Sequence, residues 1–166
     1  MVRVDLIAKK EIIDDFGADI FVPLSMVMAD WAKHVLEVGE GNAVTYDVSD
    51  YQLLIDHGSI STVDLCKELA HGVDKMEGEA KKFGGPTNII RVAVSRGPCV
   101  AKATSQGHVV FGKPVDDAKA MLNMALGTTE QFIVSEAVAN DISGAFSTKK
   151  NDAGSFYVHW SGDVLS

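Results

Sequence analysis

Ile90-Arg-Val-Ala-Val-Ser-Arg-Gly-Pro-Cys-Val100 and, after a polar interval, Phe111-Gly-Lys-Pro-Val-Asp-Asp-Ala-Lys-Ala-Met-Leu122 are the two segments that decide the fold. The first is apolar and β-branched up to a stop at Gly97-Pro98, which reads as a strong strand over 88–95. The interval 99–110 fits a hairpin or an extended arm. Pro114, just after Gly112, stands where a helix opens, and Val115, Ala118, Met121, Leu122 and Ala125 recur at helical spacing to about Leu126.

Working outward, Val2 to Ile7 predicts a short buried strand. From Phe21 the set Leu24, Val27, Met28, Trp31, Val35 and Val38 predicts a helix closed by Gly39, with Pro23 in its first turn and Trp31 in the core. Residues 43–48 and 51–56 read as two strands joined tightly around Ser49-Asp50. Ser61 and Asp64 form a capping-box-like start to a second long helix. Leu65, Leu69, Val73, Met76 and Ala80 make its inner face, and Gly84-Gly85-Pro86 ends it. Phe132 to Val134 is a short strand, Ser135 caps a helix towards Ile142, and Phe156 to Trp160 is a last strand. This order predicts an α+β domain, an α/β sandwich with a ferredoxin-like βαββαβ core and additional strands and helices, spanning 1–166 as one unit. Many functions use that core, so the order alone assigns none.

Composition removes several classes. A chain of 166 residues with 46% apolar residues can bury a sizeable core, which argues against disorder. A net charge of −8 with no Lys/Arg cluster larger than a pair opposes nucleic-acid binding. No apolar run reaches the roughly 18 residues of a membrane span, and the first fifteen residues mix charge too finely for a signal peptide. Cys66 and Cys99 lack ligand-like spacing and read as reduced structural cysteines of a cytoplasmic protein. The five histidines show no metal spacing, and Ser95, Ser135 and Ser143 no nucleophile context.

Several pieces, in order, resemble the class III adenylyl/guanylyl cyclase catalytic domain. Val4-Asp5-Leu6-Ile7 is similar to the first strand, with its metal-binding aspartate. Val48-Ser49-Asp50-Tyr51 is similar to the hairpin bearing the second metal aspartate. Arg91 to Pro98 is similar to the strand leading into the dimer arm, and Phe111 to Val115 to the turn before the catalytic helix. Phe132 to Val138 is similar to the strand and helix that follow. The resemblance implies a cyclase-homology fold and the Mg²⁺ or Mn²⁺ sites of that family at Asp5 and Asp50. It also implies a nucleoside triphosphate ligand, and a homodimer or a heterodimer with another cyclase-like domain. The plainer reading leaves Asp50 as a hairpin residue and Asp5 as a strand-end charge.

The departures are equally specific. Ala8-Lys9-Lys10 replaces a Gly-Phe-Thr turn. Asp116 stands where the resemblance expects a ribose-orienting asparagine, and Ala120 where it expects the arginine that stabilises charge on the phosphoryl group. Lys119 lies about 100° around the helix from Ala120 and does not substitute for it. Tyr46 and Val109 replace the polar pair that selects the purine. The expectation is a degenerate cyclase-like signalling module with little or no activity as a homodimer. The alternative is an active adenylyl or guanylyl cyclase, with this chain as the metal-bearing half of a heterodimer.

Overall fold

The computed structural model describes residues 1–6, 9–46, 50–56, 58–85 and 87–165, with side chains described outside 3–11 and 42–49. Its strands are β1 (Val2–Leu6), β2 (Asn42–Tyr46), β3 (Asp50–Leu54), β4 (Ile90–Val94), β5 (Val100–Thr104), β6 (Gly107–Phe111), β7 (Phe132–Val134), β8 (Ser147–Lys150) and β9 (Phe156–His159). Its helices are α1 (Lys9–Phe16), α2 (Ala18–Val38), α3 (Thr62–Lys82), α4 (Lys113–Met124), α5 (Glu136–Ile142) and α6 (Gly162–Leu165). No helix among the described residues is long and apolar enough to cross a membrane.

Seven strands form one sheet in the order β2-β3-β1-β4-β7-β9-β8, while β5 and β6 pair only with each other. The first four strands have the arrangement of a ferredoxin-like core, as the sequence predicts. β4 sits in the middle and is buried at all five residues, which explains its continuous apolar composition. β7 runs parallel to β4 and extends the sheet beyond that core.

The larger core lies on one face. Leu24, Met28, Trp31 and Val35 of α2 meet Leu65, Leu69, Val73 and Met76 of α3 over Val2, Leu53, Ile90, Val92 and Val94 of the sheet. The capping-box expectation holds: Ser61 Oγ accepts from the Asp64 amide at 3.1 Å and donates to Asp64 Oδ2 at 2.7 Å. A smaller core on the opposite face joins Ala118, Met121, Leu122 and Ala125 to Ala93, Ile133 and Val110.

Three local expectations need correction. α2 begins at Ala18, so Pro23 lies inside the helix, where it removes one backbone donor rather than filling a first-turn vacancy. Gly17, at φ 77°, separates α2 from α1, a helix that the charged run Lys9–Phe16 hid from periodicity. Ser135 occupies the N-cap position of α5, but its hydroxyl makes no capping bond. β8, like α6 an element the sequence reading did not predict, contains only Ser, Thr and Lys and occupies a sheet edge, where exposed lysines discourage further pairing. The Ile7-Ala8 and Val48-Ser49 parts of the resemblance lie outside the described residues.

Candidate functional site

β1 and β3 pair antiparallel with Asp5 directly opposite Asp50. On its other side β1 pairs antiparallel with β4, which sets Asp5 opposite Arg91. Residues that face one another across such a ladder are about 5 Å apart and share a face of the sheet. One transverse row, Asp50–Asp5–Arg91, therefore crosses three adjacent strands. On β4, Ile90, Val92 and Val94 enter the larger core, whereas Ala93 enters the core under α4. By alternation Arg91 belongs to the α4 face.

Arg91 is the functional candidate that the sequence reading passed over. It is 3% exposed, although it carries a full charge. Its Nε donates to Glu130 O at 3.0 Å and its Nη2 to Thr128 O, so it clamps the connection from α4 to β7. Its Nη1 is buried with no hydrogen-bond partner among the described residues. Burial pushes the guanidinium pKa down, with the Tyr157 hydroxyl opposing the shift. An arginine keeps its proton at any physiological pH all the same. The available signal was one charged residue inside the apolar run Ile90–Val94, because a fully buried arginine is rare without a specific anion or carbonyl to hold it.

The other candidates fall into two groups. Tyr46 ends β2 and Val109 lies in β6, paired with Lys102 and 39% exposed. β6 packs against β2, so the elements bearing this pair are neighbours. Asp116 and Ala120 are both exposed on α4, one turn apart, while Pro114, Ala118, Met121 and Leu122 fill its buried face. Asp117 is tied to Lys113 Nζ at 2.6 Å, and Lys119 faces solvent. Ser95 Oγ donates to Pro114 O and fastens the start of α4 to the end of β4. The chain thus brings Asp5 and Asp50 together, but it presents Asp116 and Ala120 outward, away from its own sheet.

Hard divalent cations prefer carboxylate oxygens, and two facing aspartates supply part of a ligand set that phosphate oxygens and water complete. Asp5 and Asp50 fit that requirement by strand position. No group of three or more His, Cys, Asp or Glu side chains that could hold a metal ion occurs among the described residues. A cleft of about 420 Å³ lined by Leu54, Asp56, Arg96 and Cys99 opens at the opposite end of β3 from Asp50 and is separate from the row. The arm formed by β5 and β6 leaves Val100, a register partner of Phe111, 69% exposed and Phe111 62% exposed.

No family profile and no curated protein sequence matches the chain. Solved structures do. The adenylyl cyclase CyaB from P. aeruginosa superposes with TM-score 0.76 at 14% identity, over 99% of this chain and 95% of that one. The monomeric guanylyl cyclase domain of the RhoGC fusion protein from Blastocladiella emersonii gives TM-score 0.67 at 17% identity, over 95% and 91%. The guanylate cyclase domain of RhGC from Catenaria anguillulae, solved in complex with GTP, gives 0.66 at 16%, over 95% and 93%. The fold is that of a nucleotidyl cyclase catalytic domain over nearly the whole chain.

Proposed function

We propose that this chain is a degenerate class III cyclase-like domain that acts as a dimerising, partner-binding signalling module and that, as a homodimer, has little or no cyclase activity. The observation that carries the reading is an asymmetry. The strand register sets Asp5 against Asp50, as a two-carboxylate metal site needs, while the exposed stripe of α4 carries Asp116 and Ala120. Cyclisation requires the ribose 3′ oxygen to attack the α-phosphate and expel pyrophosphate. A divalent cation held at Asp5 and Asp50 supplies charge stabilisation for that displacement. The methyl group of Ala120 supplies none. Loss of one preorganised donor of this kind lowers rate by about 10²–10³. Asp116 adds negative charge where a triphosphate is to bind.

The arm supports the dimerising part. A two-stranded ribbon is marginal by itself, and this one exposes Val100 and Phe111 side by side. We assign this face to contact with a second cyclase-like domain, either a copy of this chain or a different one. The test is turnover: purified protein is incubated with ATP or GTP and Mn²⁺, and cyclic product is measured. Turnover at a rate usual for such enzymes overturns the reading.

A second reading is favoured by the same register. With its acid pair in place, the chain is suited to be the metal-bearing half of an active heterodimer whose partner supplies an asparagine and an arginine. Mixing with such a partner then produces activity that is lost in Asp50→Ala.

A further inference from the structure

A cleft of about 260 Å³ opens beside the start of β7, and its lining includes Asp74, Thr129, Glu130, Gln131, His159 and Trp160. We propose that it binds a guanidinium group, carried by a small molecule or by an arginine side chain of a partner protein. The proposal goes beyond the cyclase-like reading and depends on neither Asp5 nor Asp50.

Two carboxylates from separate parts of the fold meet in this cleft, Asp74 from α3 and Glu130 from the connection between α4 and β7. Each is fixed through one oxygen. Trp160 Nε1 donates to Asp74 Oδ2 at 3.1 Å, and His159 Nε2 meets Glu130 Oε2 at 2.9 Å. The second oxygens, Asp74 Oδ1 and Glu130 Oε1, receive no hydrogen bond from a described residue. The Glu130 side chain is only 24% exposed, so water screens its charge incompletely. None of the described lining residues is a lysine or an arginine. Behind the lining, Glu77 adds a carboxylate through Gln131 Nε2 at 2.6 Å, and Arg91 a positive charge through the Glu130 carbonyl. Acid exceeds base around the cleft, so its complement is a cation.

The aromatic wall narrows the class of cation. Trp160 packs edge-on against Phe132, with ring centroids 6.0 Å apart and planes at 81°, and its bond to Asp74 fixes the indole further. It stays partly exposed in the cleft. Indole is the strongest π partner for a cation among the side chains. A guanidinium joins a flat face that stacks on indole to a fork of N–H donors that matches carboxylate oxygens. An ammonium is a strongly hydrated point charge with no such face. Two carboxylate oxygens beside an indole therefore suit the guanidinium.

The experiment is an NMR titration of the whole chain, read at the indole Nε1–H of Trp160, which reports on the Asp74 contact. The chain has two tryptophans, and Trp160→Phe assigns the signal. Ethylguanidinium should shift it saturably with a Kd of about 1 mM or tighter, the scale of one small charged contact. Ethylurea, its uncharged counterpart, should not, and ethylammonium should bind about threefold more weakly or worse. Asp74→Asn and Glu130→Gln keep side-chain shape and should each weaken ethylguanidinium binding about tenfold. If Asp74→Asn does not fold, Glu130→Gln decides alone. No saturable shift, an equal response to ethylurea or ethylammonium, or unchanged binding in either folded variant overturns the proposal. A blocked peptide with one central arginine, set against its citrulline counterpart, separates the sources. Binding of the arginine peptide at least as tight as that of ethylguanidinium assigns the cleft to a partner protein. Weaker binding assigns it to a small molecule.

Discussion

Gly72 of α3 lies against the indole of Trp31 of α2 so closely that a Cβ on Gly72 would come within 1.8 Å of Trp31 Cε2. The two long helices meet at this point, and the indole Nε1 also donates to Glu68 O at 3.3 Å. Glycine in a helix costs about 1 kcal/mol relative to alanine, so Gly72 stays there for space rather than for backbone freedom. Gly72→Ala is expected to destabilise the domain by about 1–3 kcal/mol despite the better helix propensity. At about 2–4 °C per kcal/mol, a thermal melt should show a fall of several degrees. An unchanged or higher Tm means that α2 and α3 are spaced differently.

The outward stripe of α4 can be converted. Asp116→Asn together with Ala120→Arg restores the neutral and cationic groups that the proposed lost half-site lacks. Cyclic nucleotide production with Mn²⁺ should rise by about 10²-fold or more over the unmodified chain. The gain should vanish when Asp50→Asn is added. No gain in the double variant would place the defect elsewhere, with Tyr46 and Val109 next in line.

The arm offers a solution test of association. Val100 and Phe111 are cross-strand partners and largely exposed, so Val100→Asp with Phe111→Ser should leave the melting temperature nearly unchanged. The same change should shift any dimer to monomer in light scattering after size-exclusion chromatography. A dimer that persists is held by a different surface.

Cys66 provides the pH prediction. Burial first, and the nearby Asp141 carboxylate second, push its thiol from 9.0 up to about 12. Above pH 9 the unfolded chain therefore releases a proton that the folded chain keeps. Stability then falls as pH rises from 9 towards 12, by up to about 1.4 kcal/mol per pH unit from this group. Denaturant midpoints should show that decline, and Cys66→Ala should flatten it. At pH 8, iodoacetamide should modify Cys66 only after unfolding.

Glu77 of α3 holds the entry to β4. Its carboxylate accepts from the Asn88 amide at 3.1 Å, the Ile89 amide at 2.9 Å and Gln131 Nε2 at 2.6 Å. Glu77→Ala leaves two backbone donors without this partner and should cost about 1–3 kcal/mol for each one that stays buried. Amide hydrogen exchange at Asn88 and Ile89 should accelerate in that variant. Unchanged protection there means the carboxylate is not what orders the turn.

The core was legible because its elements carry strong local patterns. α3 declared itself through the Ser61–Asp64 box and an apolar stripe from Leu65 to Ala80, and β4 through its unbroken apolar run. α1 and β8 gave no such signal. Lys9–Phe16 has five charged residues among eight, and Ser147–Lys150 has no apolar residue at all. Such elements form because neighbours hold them, which a one-dimensional pattern does not record.

By itself the sequence determined the order of the strongly patterned elements, the ferredoxin-like centre and the residue types at the sites named by the resemblance, including the alanine at position 120. Each of these is a property of residues close along the chain, where hydrophobic period, capping and turn chemistry act. The tertiary structure alone decided that the backbone of Asp5 stands opposite that of Asp50 across 45 residues of chain, and that Arg91, on the next strand, is buried and held by the Thr128 and Glu130 carbonyls. The physical reason is register. A slip of one residue in either ladder would turn the side chains of the slipped strand to the other face. Pairing between distant strands, and the burial that selects it, arises only when the whole sheet closes.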